Sequence, residues 1–192
     1  NSSATLHAGT RLEMSAMDVL NTDPHFQTAD FSLTPERVQE YQVTPGGPRY
    51  RAGTPGLEVR REGGRDHLYT PDGLIWDYWV AYDYTRYGVE TRVTASDPGR
   101  ISSGGSLWVQ ANHFRNDKSV IAGNDIFVLA SSIEDVREAG RRVVMEAGTA
   151  TQIWPVWRDG QATNGRRVSF YQTPAVVTPL SLGAADAPAD AA

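Results

Sequence analysis

The sequence predicts a mainly β protein, sandwich-like or barrel-like, with one α-helix at about residues 132–147. Three observations predict it. Pro/Gly clusters at 44–48 (TPGGP), 54–56 (TPG), 62–66 (EGGRD) and 70–73 (TPDG) separate short segments at hairpin spacing. The stretch WDYWVAYDYTRY, 76–87, alternates aromatic with small or charged residues, the period of a half-buried strand. The apolar run IFVLA, 126–130, leads into residues in helical register. A layered α+β sheet is the alternative arrangement of the same elements.

Residues 1–30 read as an N-terminal arm with at most one short strand, because Asn21, Asp23 and Pro24 interrupt its apolar pattern. Residues 31–182 read as one β-rich domain, since a chain of 192 residues with 40% hydrophobic content has enough for one sizeable core. LTPERVQEY opens that domain with a short helix signature: Thr34 as cap, Pro35 in the first turn and Glu36 at the positive helix end. Further on, Ser131 and Glu134 form a capping box, VREAGRRVVMEAG continues the helix, and Gly148 stops it. Gly140 is the weak point of that helix, so alanine there is expected to stabilise it. TQIWPVW returns as a strand, either in a βαβ unit or antiparallel, and Pro155 pushes it toward a sheet edge. Asp159-Gly160 and Asn164-Gly165 are both turn signals; Asn-Gly is the stronger and is assigned the two-residue hairpin turn. The tail, 183–192, is small and acidic with little to bury. Residues 1–10 and 183–192 carry too little apolar surface to order themselves on their own domain, so neighbours in an assembly are expected to hold them.

Split by parity, the aromatic stretch puts Trp76, Tyr78, Tyr82 and Tyr84 on one face and Asp77, Trp79 and Asp83 on the other. The first reading puts the aromatic face in the core; the second makes these four an interface or ligand platform, because Tyr and Trp favour such surfaces. Of the four histidines, His7, His25, His67 and His113, none has metal-ligand spacing. His113 follows an apolar strand beside Asn112, Arg115 and Asp117, which makes it the one weak candidate for a general base, against a plain structural role. GRISSGGSLW, 99–108, lacks a phosphate-loop lysine and precedes a strand, so it reads as a loop. No cofactor or metal is expected.

A formal net charge of −5 gives no basic stripe for a phosphate backbone, so nucleic acid is not expected as the main partner. The absence of cysteine excludes disulfides and thiolate chemistry. With no apolar run of about 20 residues, the chain is expected to be soluble and away from membranes. These features favour a non-catalytic structural or interaction subunit with protein partners, such as a component of a viral or phage shell or tail. One alternative is a small enzyme or toxin-like transferase with a site assembled from scattered residues such as Arg11, Tyr50, His113 and Glu146. Another is a carbohydrate-binding module using the aromatic face.

Overall fold

Residues 1–187, described by a computed structural model, form seventeen β-strands and one short 3₁₀ turn (Ala184–Asp186), with no α-helix among them. The first strands are β1 (Thr5–Ala8), β2 (Arg11–Ser15), β3 (Asp18–Thr22) and β4 (Gln27–Ser32). β5 (Glu36–Gln42), β6 (Arg49–Arg51), β7 (Glu58–Glu62), β8 (Arg65–Tyr69) and β9 (Ile75–Trp76) precede the long β10 (Trp79–Ala95). Then come β11 (Arg100–Ser103), β12 (Ser106–Asp117), β13 (Val120–Ala122) and β14 (Asp125–Val136), followed by β15 (Glu138–Arg158), β16 (Gln161–Gln172) and β17 (Val176–Leu182).

The chain divides into two compact units. Unit 1 takes in Asn1–Phe31, Val89–Arg142 and the chain from Val177; unit 2 takes in Ser32–Gly88 and Val143–Val176. β10 and β15 contribute residues to both.

The strands β1–β3 and β11–β14 of unit 1 are joined in parallel pairs. β1, β2 and β3 form one three-sided coil, β11 and β12 a second, and β13 and β14 a third, with β12 and β14 each turning a corner to supply two sides. Equivalent residues of coils 1 and 2 are 95 positions apart on all three sides. Coils 2 and 3 are 20 positions apart on the first side and 19 on the others. This is the construction of a β-solenoid, in which each coil buries its inner face on its neighbours. The core is the middle coil: Ile101, Leu107, Val109, Ala111 and Phe114, with Leu12, Met14, Val19, Ile121 and Val128 packed on it. A polar ladder runs beside the apolar ones. Asn1 Nδ2 donates to Asn21 Oδ1 (2.9 Å), Asn21 Nδ2 to Asn116 Oδ1 (2.9 Å), and Asn116 Nδ2 to Asp135 Oδ1 (2.8 Å). Asn21 is fully buried and survives there because both ends of its amide are satisfied.

Unit 2 is antiparallel. Its larger sheet runs β16–β15–β10–β5–β6, and β7, β8 and β9 form a small second sheet. Leu68, Trp79 and Ile153 are its buried centre, with Tyr41, Leu57, Trp76 and Ala81 around them.

The mainly β reading holds; the helix at 132–147 does not. Residues 132–136 end β14 and residues 138–147 belong to β15. Local propensity favours a helix there, but β14 is hydrogen-bonded to β12 through a register of eleven residue pairs, and a helix from residue 132 would forfeit the last five of them. Ser131 and Glu134 are therefore strand residues and cap nothing, and the βαβ unit disappears with the helix. Residues 36–42 are a strand rather than a short helix, because Val38 pairs with Tyr84 and both are buried. Residues 1–30 are not an arm: they supply β1–β4, and β1 pairs in parallel with β11 of the same chain. The start of the tail forms the 3₁₀ turn; residues 188–192 lie outside the described residues.

The hairpin turn also moves. Asp159 and Gly160 have φ of 50° and 75° and join Arg158 to Gln161, as a type I′ turn requires. Asn164 and Gly165 instead lie inside β16, opposite Pro155 and Trp154. Asn164 is held by Asp66, whose N–H donates to its Oδ1 at 2.6 Å, and Gly165 lies against the Trp154 indole, where a Cβ would collide.

Candidate functional site

The aromatic stretch does not run as one strand. The chain bends at Asp77 and Tyr78, between β9 and β10, so the parity of residue 76 does not carry into residues 79–87. Trp79, assigned by parity to the polar face, is 1% exposed and central to the unit 2 core. Trp76 is half-buried on that core and donates its indole N–H to Thr70 Oγ1 at 3.2 Å. Tyr78 is exposed, Tyr82 half-buried and Tyr84 buried. The four residues therefore share no single open face. Asp77, expected to face water, pairs with His67 at 2.6 Å.

Tyr82 and Tyr84 belong to a charged and aromatic network. In β10 and β5, Tyr82 lies opposite Glu40, Tyr84 opposite Val38 and Arg86 opposite Glu36, so these residues share a sheet face. The Arg49 guanidinium lies 3.9 Å from the Tyr82 ring centre and donates to the Tyr171 hydroxyl at 2.9 Å. That hydroxyl donates to Glu146 Oε2 (2.9 Å), and Arg86 donates to Glu146 Oε1 at 2.8 and 3.0 Å. Glu36 holds Arg51 and Arg86. Gly148 makes room: a Cβ there would strike Asp83 and Tyr84. Burial, followed by the Glu40 and Glu146 carboxylates, pushes the Tyr84 hydroxyl up to about 12. On the opposite face, hydrogen bonds from Arg37 and then Gln39 lower Asp83 to about 2. Each charge of this network has an opposite partner, so its chemistry is that of a brace between strands.

His113 is exposed in the middle of β12. Its register neighbours are Asp18 on β3 and Ser132 on β14, the residue types of an acyl-transfer triad. Among the described residues no hydrogen bond joins the three side chains. Arg11 pairs with Glu13 and leans over Trp108; Tyr50 lies on β6 opposite Tyr41; Glu146 serves the brace. Among the described residues no cluster of His, Asp and Glu has a metal-binding arrangement, and no helix is long and apolar enough to cross a membrane.

The feature missed in the sequence is the pair of coil ends. Leu6, Ile101 and Ile121 are register equivalents, as are Leu12, Leu107 and Ile126, and Val19, Phe114 and Ile133. The middle members, Ile101, Leu107 and Phe114, are 1%, 0% and 5% exposed, whereas Leu6, Ile126 and Ile133 are 41%, 45% and 57% exposed. The only sequence signal was the 19–20 residue spacing between coils 2 and 3, and a pattern seen twice does not stand out as a repeat. No protein-family model matches the chain, and neither a curated protein nor a solved structure does.

Proposed function

We propose that the chain is a non-catalytic structural module acting inside a larger protein assembly, and that unit 1 is the part that joins it. One observation carries this reading: inner-facing positions buried in the middle coil become exposed at Leu6 in coil 1 and at Ile126 and Ile133 in coil 3, while their other equivalents, Leu12, Val19 and Ile121, are half-buried. A coil cannot bury its inner face alone, and solenoids that end in water carry polar terminal repeats. Here the outer coils keep aliphatic residues facing inward. The outer strands β13 and β14 also each present an unpaired edge. A subunit of a viral or phage shell or tail is the finer form of the same proposal, since such structures supply neighbours at both ends. Tyr78, the exposed member of the aromatic stretch, is the one most available to a second partner.

The test is the size of the protein recovered from its native source, by chromatography with light scattering. The expected result is a mass well above the 21.0 kDa of the chain, falling when Leu6 and Ile133 are both replaced by lysine. Recovery of the wild type at its own mass would overturn the proposal.

A further inference from the structure

We infer that the end of unit 1 formed by coil 3 is a docking surface for one further parallel β-coil, and that its side chains specify the chemistry of that coil. The partner coil carries apolar residues above Ile121, Ile126, Val128 and Ile133, a hydrogen-bond donor above Asp135, and a flat side chain above Phe127. The inference rests on the structural reading just given and names the partner of one of the two ends.

Three ladders run along the coil stack, and each stops unfinished at coil 3. The apolar ladders end in Ile126 and Ile133, which line a cavity of about 420 Å³ together with Phe114, Ile121 and Val128. Apolar side chains from one more coil would fill it, as Leu107 and Phe114 fill the layer below.

The polar ladder sets the direction. Each asparagine amide donates to the next residue along: Asn1 to Asn21, Asn21 to Asn116, Asn116 to Asp135. At Asp135 the series reaches a carboxylate, which accepts hydrogen bonds and has no N–H to pass on. Arg137 Nε lies 3.6 Å from the other carboxylate oxygen, so Asp135 is already paired on one side; a donor above it, such as Asn, Gln, Lys or Arg, adds to that pairing, whereas an acidic residue there would meet like charge.

The aromatic stack lies on the outer face. Arg11 covers one side of Trp108 at 5.7 Å, and Trp108 stacks on Phe127 with ring centres 4.2 Å apart and planes at 20°. Phe127 is the last ring and remains 46% exposed. The backbone agrees: β13 and β14 end their sheet orders, so each has an edge ready to accept a parallel strand.

The occupant is not a second copy stacked end to end. Below coil 1, Ser2 already bridges Thr22 in parallel, and Asn1 donates to Asn21. Thr22 is the equivalent of Val136, so a copy placed one coil above coil 3 would bring its own Ser2 to the level of Val136 and its Asn1 to that of Asp135. The partner is therefore a coil whose lower side is free.

A tethered probe tests this. Gly183–Ala185 line the same cavity, so a segment appended after Ala192 is tethered to the cavity edge through the seven residues that follow Ala185 and acts at high effective concentration. The probe is a copy of residues 100–117, which presents Ile101, Leu107, Val109 and Phe114 to the cavity, Asn116 to Asp135 and Trp108 to Phe127. Hydrogen exchange of the β13 and β14 amides should slow roughly tenfold or more. Asn116→Asp in the appended copy should abolish most of that protection, and Asp135→Asn in the body should restore it. Unchanged exchange with the parent copy, or equal protection by the Asn116→Asp copy, would overturn the inference. If the appended coil fails while the native protein still assembles through Leu6 and Ile133, the scaffold reading stands and only this partner is wrong. If it docks but the native protein is recovered at its own mass, the reverse holds.

Discussion

Gly140 shows how a single residue changes meaning with its element. In a helix, alanine there would stabilise; in β15 a Cβ would come within 2.9 Å of Leu182 Cδ1 and 3.1 Å of Thr91 Cβ. Gly140→Ala is therefore expected to cost about 1–3 kcal/mol by overpacking, read as a lowered melting temperature. Gly160 and Gly165 separate two other reasons for glycine. Gly160 has open space around it but a φ of 75°, so Gly160→Ala should cost about 1–2 kcal/mol through backbone strain alone. Gly165 is covered by Trp154, so the penalty of Gly165→Ala should shrink in a Trp154→Ala background, while that of Gly160→Ala should not change. Denaturant melts of the three single and two double variants measure this.

Among the elements, the pairing of β10 with β5 carries titrating groups on both faces. The unfolded Tyr84 hydroxyl titrates near 10, but in the fold its proton is held until about 12. Between those values the unfolded chain has lost a proton that the folded chain keeps, so stability should fall as pH rises from about 10 to about 12. Asp83 works in the opposite direction. Its folded value of about 2 lies below the unfolded one, so the contribution of the Arg37 and Gln39 contacts is present above about pH 4 and lost as pH falls toward 2. Tyr84→Phe should flatten the alkaline limb of the stability profile and Arg37→Met the acid limb. A profile in which either substitution moves the other limb would contradict the face assignment.

For the molecule as a whole, the stack of coils makes equivalent positions unequal. Leu107→Ala in the middle coil should cost about 2–5 kcal/mol, because it empties a fully enclosed site. Ile133→Ala, at an open end, should cost less than about 1 kcal/mol in the isolated chain. The ratio is the measurable signature of an unfinished stack, and equal losses from thermal melts would mean that the coil 3 end is already closed.

The sequence by itself determined the β character, the spacing of the Pro/Gly turns and a turn signal at Asp159-Gly160, though it ranked Asn164-Gly165 above it for the hairpin, because turn geometry and strand alternation are set by residues a few positions apart. Only the tertiary structure decided the rest. Leu6 meets Ile101 across 95 positions, a distance at which no local pattern specifies register. Residues 132–147, rich in Glu, Arg and Ala, read locally as a helix, yet β12 offers β14 a parallel ladder whose hydrogen bonds, with the packing of Val128 and Ala130 on the middle coil, outweigh the modest propensity of each residue. Trp79 and Tyr78 exchanged expected roles for a similar reason: the bend at Asp77 and Tyr78 breaks the alternation that starts at Trp76, and the choice of buried face belongs to the partners Leu68 and Ile153 rather than to the strand, whereas Tyr84 is buried as the first reading expected.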